Sequence, residues 1–218
     1  MKKNLTELVF ILDKSGSMHG LESDTMGGFN SMLEKQKKLD DDCVITTVLF
    51  DSGYELLHDR IDIRAVSPMT EQDYSVGGCT ALLDAVGATI KKIVNVQKSK
   101  SADYRAEKVI FVIITDGLEN ASRRFSYEQV KKMIETEKSE YGWEFIFLGA
   151  NIDAAETAEK FGIGKDRAAD YVADGKGTRL NFKMMSDTVS MFRKDGSVHE
   201  EFLTRIREDN EKRGTKNK

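Results

Sequence analysis

Three oxygen-bearing side chains follow the first predicted strand at alternate positions. They are Asp13, Ser15 and Ser17, in the segment Asp13-Lys14-Ser15-Gly16-Ser17. One carboxylate and two hydroxyls are hard ligands of the kind that Mg²⁺ and Mn²⁺ prefer. In open α/β sheets, ligands bind beyond the carboxyl ends of the strands, which is where we expect this segment. A polar loop that caps a helix has the same composition, so this segment alone does not establish a metal site.

Two further oxygen-bearing segments occupy equivalent positions on other predicted elements. Thr80 follows the pair Gly77-Gly78 at the start of a predicted helix, and Asp116 follows an unbroken apolar strand. The glycines allow two backbone segments to approach closely. Asp116-Gly117 supplies a second carboxylate at a carboxyl edge. If the first and fourth strands are neighbours with their helices on opposite faces, the three segments converge at the topological switch point.

Together these residues resemble the metal-ion-dependent adhesion site of a von Willebrand factor type A domain. The matching positions are Asp13, Ser15, Ser17, Thr80 and Asp116. The resemblance implies that Ser15 and Ser17 contact Mg²⁺ or Mn²⁺ directly, and that Thr80 does so directly or through water. It implies that Asp13 and Asp116 act mainly through bound water. A Glu or Asp of a protein partner would complete the ligand shell, which would make partner binding depend on the metal.

Apolar runs of strand length alternate along the chain with longer segments of helical periodicity. The predicted strands are residues 8–12, 44–50, 54–63, 108–115 and 143–149. The predicted helices that separate them lie near residues 21–39, 81–96 and, with Ser126 as N-cap, 126–140. This order is typical of βαβ units. It predicts a doubly wound, Rossmann-like three-layer α/β/α sandwich with a mainly parallel six-stranded sheet and one antiparallel edge strand, as in the family that the chain resembles.

The pattern continues more weakly in the last quarter of the chain. It predicts a short helix at 152–161, a last edge strand at 171–173 and a closing helix at 181–192. The stretch that begins at 207 is nearly all charged or polar and buries too little apolar area to order itself. We therefore expect one domain over residues 1–206 and a charged tail over residues 207–218.

The composition of the 218 residues weighs against several classes of function. The chain has 33 basic and 37 acidic residues, a net charge of −4, so strong attraction to nucleic acid or to an anionic membrane is not expected. No apolar run approaches the roughly 20 residues of a spanning helix. The apolar segment near the start contains Glu7, which a signal peptide would not have. With few cysteines and no signal, we expect a cytoplasmic protein.

The cysteines and histidines do not have the spacing of a zinc site. Only two cysteines occur; we expect Cys43 to be buried in a strand and Cys79 to be a small packing residue. The three histidines are scattered, and we expect them at the surface or in loops.

The predicted function is a metal-dependent protein-interaction module that binds an acidic side chain of an unidentified protein partner. We expect no enzyme activity and no small-molecule substrate, and a bacterial or phage-like source. Two alternatives stay open. A metal-dependent phosphohydrolase would use Asp13 as nucleophile, although haloacid-dehalogenase-like enzymes need a second Asp where Ser15 stands. The other is a structural subunit of an ATPase-associated or stress-response complex whose metal site does not function.

Overall fold

One sheet of six strands forms the centre of the protein, of which the computed structural model describes residues 1–214. The strands are β1 (Lys2–Asp13), β2 (Asp42–Phe50), β3 (Tyr54–Asp62), β4 (Ala106–Thr115), β5 (Glu144–Gly149) and β6 (Ala168–Asp170). Their order across the sheet is β3-β2-β1-β4-β5-β6. All neighbours are parallel except β2 and β3. The predicted sheet with one antiparallel edge strand is therefore confirmed.

Within the described residues, α-helices cover both faces of the sheet. They are α1 (Glu22–Gln36), α2 (Leu82–Ser99), α3 (Tyr127–Tyr141), α4 (Ala154–Lys160), α5 (Gly175–Asp195) and α6 (Glu200–Arg213). Helices α1, α5 and α6 share one apolar core with the sheet, and α2, α3 and α4 share the other. This arrangement confirms the doubly wound three-layer sandwich. No helix in this part of the chain is long and apolar enough to cross a membrane.

Residues 8–12 of β1 show why the central strands contain uninterrupted apolar runs. Successive side chains of a strand point to opposite faces. Leu8 and Phe10 accordingly lie in the core beneath α1 and α5, while Val9 and Ile11 lie in the core beneath α2 and α3. Both faces are covered, so no position on β1 beyond the first residues favours a polar side chain for contact with water.

Helix α3 begins where its sequence predicts. The Ser126 hydroxyl accepts a hydrogen bond from the Gln129 amide at 3.3 Å, and the Ser126 amide donates to Gln129 Oε1 at 2.9 Å. This reciprocal capping box provides acceptors for two backbone amides that the start of a helix otherwise leaves unpaired. The helix ends at Gly142, whose φ of 65° is in the left-handed region that glycine tolerates.

The last strand does not lie at residues 171–173, where we predicted it. Strand β6 is Ala168–Asp170, and Ala168 pairs with Phe147 of β5. Tyr171 follows the strand and its side chain is buried in the α1–α5 core. Residues 171–173 are therefore apolar because Tyr171 packs in the core and not because they form a strand. The strand that pairs with β5 consists of the small residues just before them.

The chain closes with two helices, where the sequence predicts one at residues 181–192. Helix α5 begins at Gly175 and not near residue 181, and α6 continues to Arg213, into the region that we expected to be a tail. The Arg207 guanidinium donates to the Ala168 carbonyl at 2.8 Å, and Arg213 pairs with Asp174 at 2.6 Å. These contacts attach a strongly charged helix to the edge strand β6 and to the start of α5. Residues 215–218 of the predicted tail lie outside the described residues.

Candidate metal centre

The three oxygen-bearing segments meet at the carboxyl edge of the two central strands. Strands β1 and β4 are neighbours, and the helices that follow them, α1 and α3, cover opposite faces of the sheet. This is a topological switch point, the place at which open α/β sheets bind ligands. The condition that we set for the segments to converge is met.

Asp13 ends β1 and holds the first segment in place. It is 1% exposed. Its Oδ1 accepts a hydrogen bond from the Ser15 amide at 2.6 Å, and its Oδ2 accepts one from the Thr115 hydroxyl at 2.6 Å. The Tyr74 hydroxyl donates to the Asp13 carbonyl oxygen. These bonds fix the carboxylate between the ends of β1 and β4.

Ser17 connects the first segment to the segment after β4. Its Oγ lies 3.1 Å from Ser15 Oγ and donates a hydrogen bond to Asp116 Oδ1. Asp116 is 1% exposed, and within the described residues its Oδ2 has no hydrogen-bond partner. Leaving a buried polar atom unpaired is costly. The free carboxylate oxygen therefore indicates where a ligand would be favourable.

Thr80 approaches the same place from the start of α2. A side-chain carbon at Gly117 would lie 3.1 Å from Thr80 Oγ1 and 3.3 Å from Ser17 Oγ. Both hydroxyls thus flank the space that the missing side chain of Gly117 leaves open. The structure brings all five predicted site residues together, with hydroxyl oxygens beside two buried carboxylates.

The predicted role of the glycine pair is visible in the backbone. The Gly77 amide donates to the Lys14 carbonyl at 2.9 Å, and the Gly16 amide donates to the Gly78 carbonyl at 3.2 Å. Gly78 has a φ of 70°, which side chains other than glycine rarely adopt. The two segments therefore lie backbone to backbone, which brings Thr80 close to the serines.

Burial disfavours the charged form of both carboxylates, Asp13 and Asp116. Burial, and to a smaller extent the nearby charge of Asp13, raises the pKa of Asp116 to about 6, against the opposing effect of the hydrogen bond from Ser17. Burial also raises the pKa of Asp13, against the hydrogen bonds from Ser15 and Thr115. A divalent cation would favour the charged form of both groups.

The donor set fits Mg²⁺ or Mn²⁺ and not a softer metal. Hydroxyl and carboxylate oxygens are hard ligands, and two carboxylates leave room for water in the shell. Among residues 1–214, no three His, Cys, Asp or Glu side chains are grouped so that they could hold a metal ion.

Several contacts of the site were not predicted from the sequence. Tyr74 lies in a loop without periodicity, and the role of the Thr115 hydroxyl depends on the neighbour relation of β1 and β4. The prediction for Cys79 is wrong, because this side chain is exposed. Cys43 is buried as predicted.

Comparison with known proteins gives matches at the level of structure. No protein-family profile matches the chain, and no curated protein does so. A von Willebrand factor type A protein from Catenulispora acidiphila has 14% identity and a TM-score of 0.53, covering 84% of this chain and 42% of that one. The chain therefore spans less than half the length of that protein.

Two other solved structures are similar over most of this chain. The vWF domain of the type V pili tip protein Mfa5 from Porphyromonas gingivalis has 11% identity and a TM-score of 0.59, covering 89% of this chain and 98% of that one. Manganese-loaded TRAP protein from Plasmodium vivax has 19% identity and a TM-score of 0.50, covering 68% and 58%. The strand order, the two helical layers and these similarities agree: the chain has the von Willebrand factor type A fold.

Proposed function

We propose that this chain is a divalent-metal-dependent protein-interaction module. Asp13, Ser15, Ser17, Thr80 and Asp116 would hold Mg²⁺ or Mn²⁺, and a Glu or Asp of a protein partner would complete the ligand shell. The metal, when bound, supplies positive charge that attracts a partner carboxylate. The chain's own residues supply the hydroxyls and fix the two buried carboxylates.

The observation that carries this proposal is the environment of Asp116. Its Oδ2 is buried and unpartnered within the described residues, its Oδ1 accepts the Ser17 hydroxyl, and its pKa is raised to about 6 by burial and by Asp13. Burying such a carboxylate without a ligand destabilises the folded protein, because one oxygen lacks a hydrogen bond and the charge is removed from water. A cation beside Asp116 would compensate both costs.

The names of the similar structures support a role in interaction. One of them is a pilus tip domain and another is loaded with manganese. These properties belong to those proteins, and at 11% and 19% identity they give support only through the shared fold.

The geometry also supports a non-enzymatic role. A phosphoryl-accepting carboxylate must reach the phosphorus atom with a free oxygen. Asp13 is 1% exposed, and its two oxygens accept hydrogen bonds from Ser15 and Thr115. This arrangement disfavours the phosphohydrolase alternative.

Titration of Mn²⁺ into metal-free protein, followed by calorimetry and by the electron paramagnetic resonance signal of free Mn²⁺, tests the metal site. Ser17 is at an exposed position, so Ser17→Ala removes the hydroxyl without opening the core, and we expect its affinity for Mn²⁺ to fall at least about tenfold. Ser31→Ala, at an exposed position on α1, is the matched control. Absence of saturable Mn²⁺ binding by the wild-type protein would overturn the proposal.

Affinity capture from a lysate of the source organism tests the partner. Proteins retained with Mg²⁺ or Mn²⁺, but lost with EDTA and with Ser17→Ala as bait, would establish metal-dependent binding. Identical capture under all of these conditions would show that the metal centre is not the binding surface.

A further inference from the structure

The start of α2 is capped by another loop of the protein. Ala81, at the N-cap position, has no side chain that could accept a hydrogen bond from the first helical amides. The Leu83 amide donates instead to Glu119 Oε2 at 2.8 Å, and the Asp84 amide donates to Ser122 Oγ at 3.0 Å. Both acceptors belong to the segment over residues 119–125, which follows β4 and Asp116.

Asn120 forms hydrogen bonds with both the backbone amide and the backbone carbonyl of Thr80. The Thr80 amide donates to Asn120 Oδ1 at 2.9 Å, and the Asn120 amide donates to the Thr80 carbonyl at 3.1 Å. This pair of bonds fixes the peptide groups on both sides of the Thr80 α-carbon. The constraint places the Thr80 β-carbon, and the Thr80 hydroxyl oxygen lies on the side of Gly117, 3.1 Å from where a side-chain carbon at Gly117 would stand.

The same segment is held from the side of α2. The Asp84 carboxylate accepts hydrogen bonds from the amides of Arg123, Arg124 and Phe125 at 3.0, 2.8 and 2.9 Å. The Phe125 ring packs on Gly87, where a side-chain carbon would lie 2.6 Å from it. The start of α2 and the 119–125 segment therefore form one rigid unit.

We propose that Asn120 is a positioning residue for the metal centre and acts through Thr80. The inference rests on the proposed function, in which Thr80 is one of the residues that hold the metal. Asn120 does not itself belong to the five proposed ligand residues. Its two bonds hold the Thr80 backbone, and with it the side chain, beside Gly117 and Ser17, so that metal binding does not have to order this segment first.

A double-mutant cycle tests whether Asn120 acts through Thr80. In the full chain, Asn120→Ala should weaken Mn²⁺ binding about tenfold, the lower end of what an outer-shell contact contributes. In the Thr80→Ala background, the same substitution should change the affinity by less than about twofold, because the residue through which it acts is gone. Asn95→Ala, at an exposed position of α2, should leave Mn²⁺ binding unchanged.

Hydrogen exchange of the metal-free protein gives a readout that does not depend on Mn²⁺. The Thr80 amide should exchange faster in Asn120→Ala than in the wild type, because it loses its acceptor. Asn120→Asp keeps an acceptor oxygen and should restore slow exchange of that amide.

The outcomes separate this inference from the proposed function. Loss of wild-type Mn²⁺ binding would overturn both. If the wild type binds Mn²⁺ and Asn120→Ala binds it equally well, the positioning role of Asn120 is overturned and the proposed function stands. An equal loss of affinity with and without the Thr80 hydroxyl would show that Asn120 acts by another route, and would also overturn it.

Discussion

At the scale of single residues, the candidate metal centre depends on Gly117 as much as on residues that carry oxygen. This glycine follows Asp116 and leaves open the space between the hydroxyls of Thr80 and Ser17. A methyl group there would stand 3.1 and 3.3 Å from the two oxygens. Contacts of this length require the hydroxyls to move apart, and they would also occupy room that a metal shell needs.

We therefore expect Gly117→Ala to weaken Mn²⁺ binding at least about tenfold, as for other changes that displace metal ligands. Calorimetric titration measures the effect. The control is Gly27→Ala on α1, where an added carbon meets nothing within 4 Å. Unchanged affinity in Gly117→Ala would show that the ligands do not surround this space.

Residue types, spacing and the family resemblance were sufficient to predict that the segments carrying the five oxygen-bearing residues meet at one edge of the sheet, because each segment follows a strand or precedes a helix. Their role as metal ligands stays a prediction. Residue types and spacing were not sufficient for Tyr74 or Asn120. These two residues bind backbone groups of Asp13 and Thr80 across 61 and 40 positions of the chain. Such contacts follow from the path of the loops in space, which no local pattern of hydrophobic residues encodes.

At the scale of the elements, α1 and α5 pack closely because α1 contains a glycine at the contact. A side-chain carbon at Gly28 would lie 2.5 Å from the Phe182 ring and 2.9 Å from its β-carbon. The neighbouring Gly27 faces open space. Further along the same pair of helices, the Gln36 side chain donates to the Ser186 carbonyl at 2.9 Å.

Gly28→Ala should therefore lower the free energy of unfolding by about 1–3 kcal/mol, the usual cost of overpacking. Gly27→Ala should raise it by about 0.5–1 kcal/mol, because alanine is the better helix former. Urea denaturation of the two variants measures both effects. Equal stability of the two would contradict the close packing of α1 on Phe182.

The prediction that the histidines lie at the surface or in loops is wrong for His58. This residue lies on β3 and is 6% exposed. Its Nδ1 is 3.0 Å from the Thr47 hydroxyl, and its ring stacks on Phe29 with centroids 6.3 Å apart. Burial lowers the pKa of His58, and the charge of Asp73 opposes this shift. The edge strand thus packs against α1 at His58, which the alternation in its sequence did not specify.

This burial predicts a pH dependence of stability. Below the ordinary histidine pKa of about 6.5, the unfolded chain takes up a proton on His58 that the folded chain does not yet accept. The free energy of unfolding should therefore fall as the pH drops below this value. Urea denaturation at pH 7.5 and 5.5 should show a smaller fall for His58→Asn than for the wild type. His19→Asn, with a side chain 86% exposed, should behave like the wild type.

The elements with strong periodicity were predicted well, and those at the end of the chain were not. Strand β6 has three residues, too few for an alternating pattern to appear. Helix α6 is charged over most of its surface, and its attachment depends on Leu203 and Ile206 in the core and on the hydrogen bonds of Arg207. A composition argument weighs the charge of the segment and not the few residues that anchor it.

At the scale of the whole molecule, metal binding and folding must be linked under the proposed function. The metal centre joins β1, α2 and β4, so an ion bound there favours the folded chain only. At a Mg²⁺ concentration of 100 times the dissociation constant, the free energy of unfolding should rise by about 2.7 kcal/mol. Thermal unfolding with Mg²⁺ and with EDTA measures this difference, and Ser17→Ala should reduce it. Equal stability with and without metal would contradict the linkage.

The separation of the site residues along the chain has a consequence for synthesis on the ribosome. The bond from Thr115 to Asp13 spans 102 positions, and that from Ser17 to Asp116 spans 99. The Thr80 amide is held only after Asn120 has been added. A nascent chain that has passed α2 but not β4 cannot form the centre, because one carboxylate and the support of Thr80 are still missing. Under the proposed function, the first half of the protein is therefore synthesised without stabilisation by a bound ion, while the apolar strand β1 still lacks its neighbour β4.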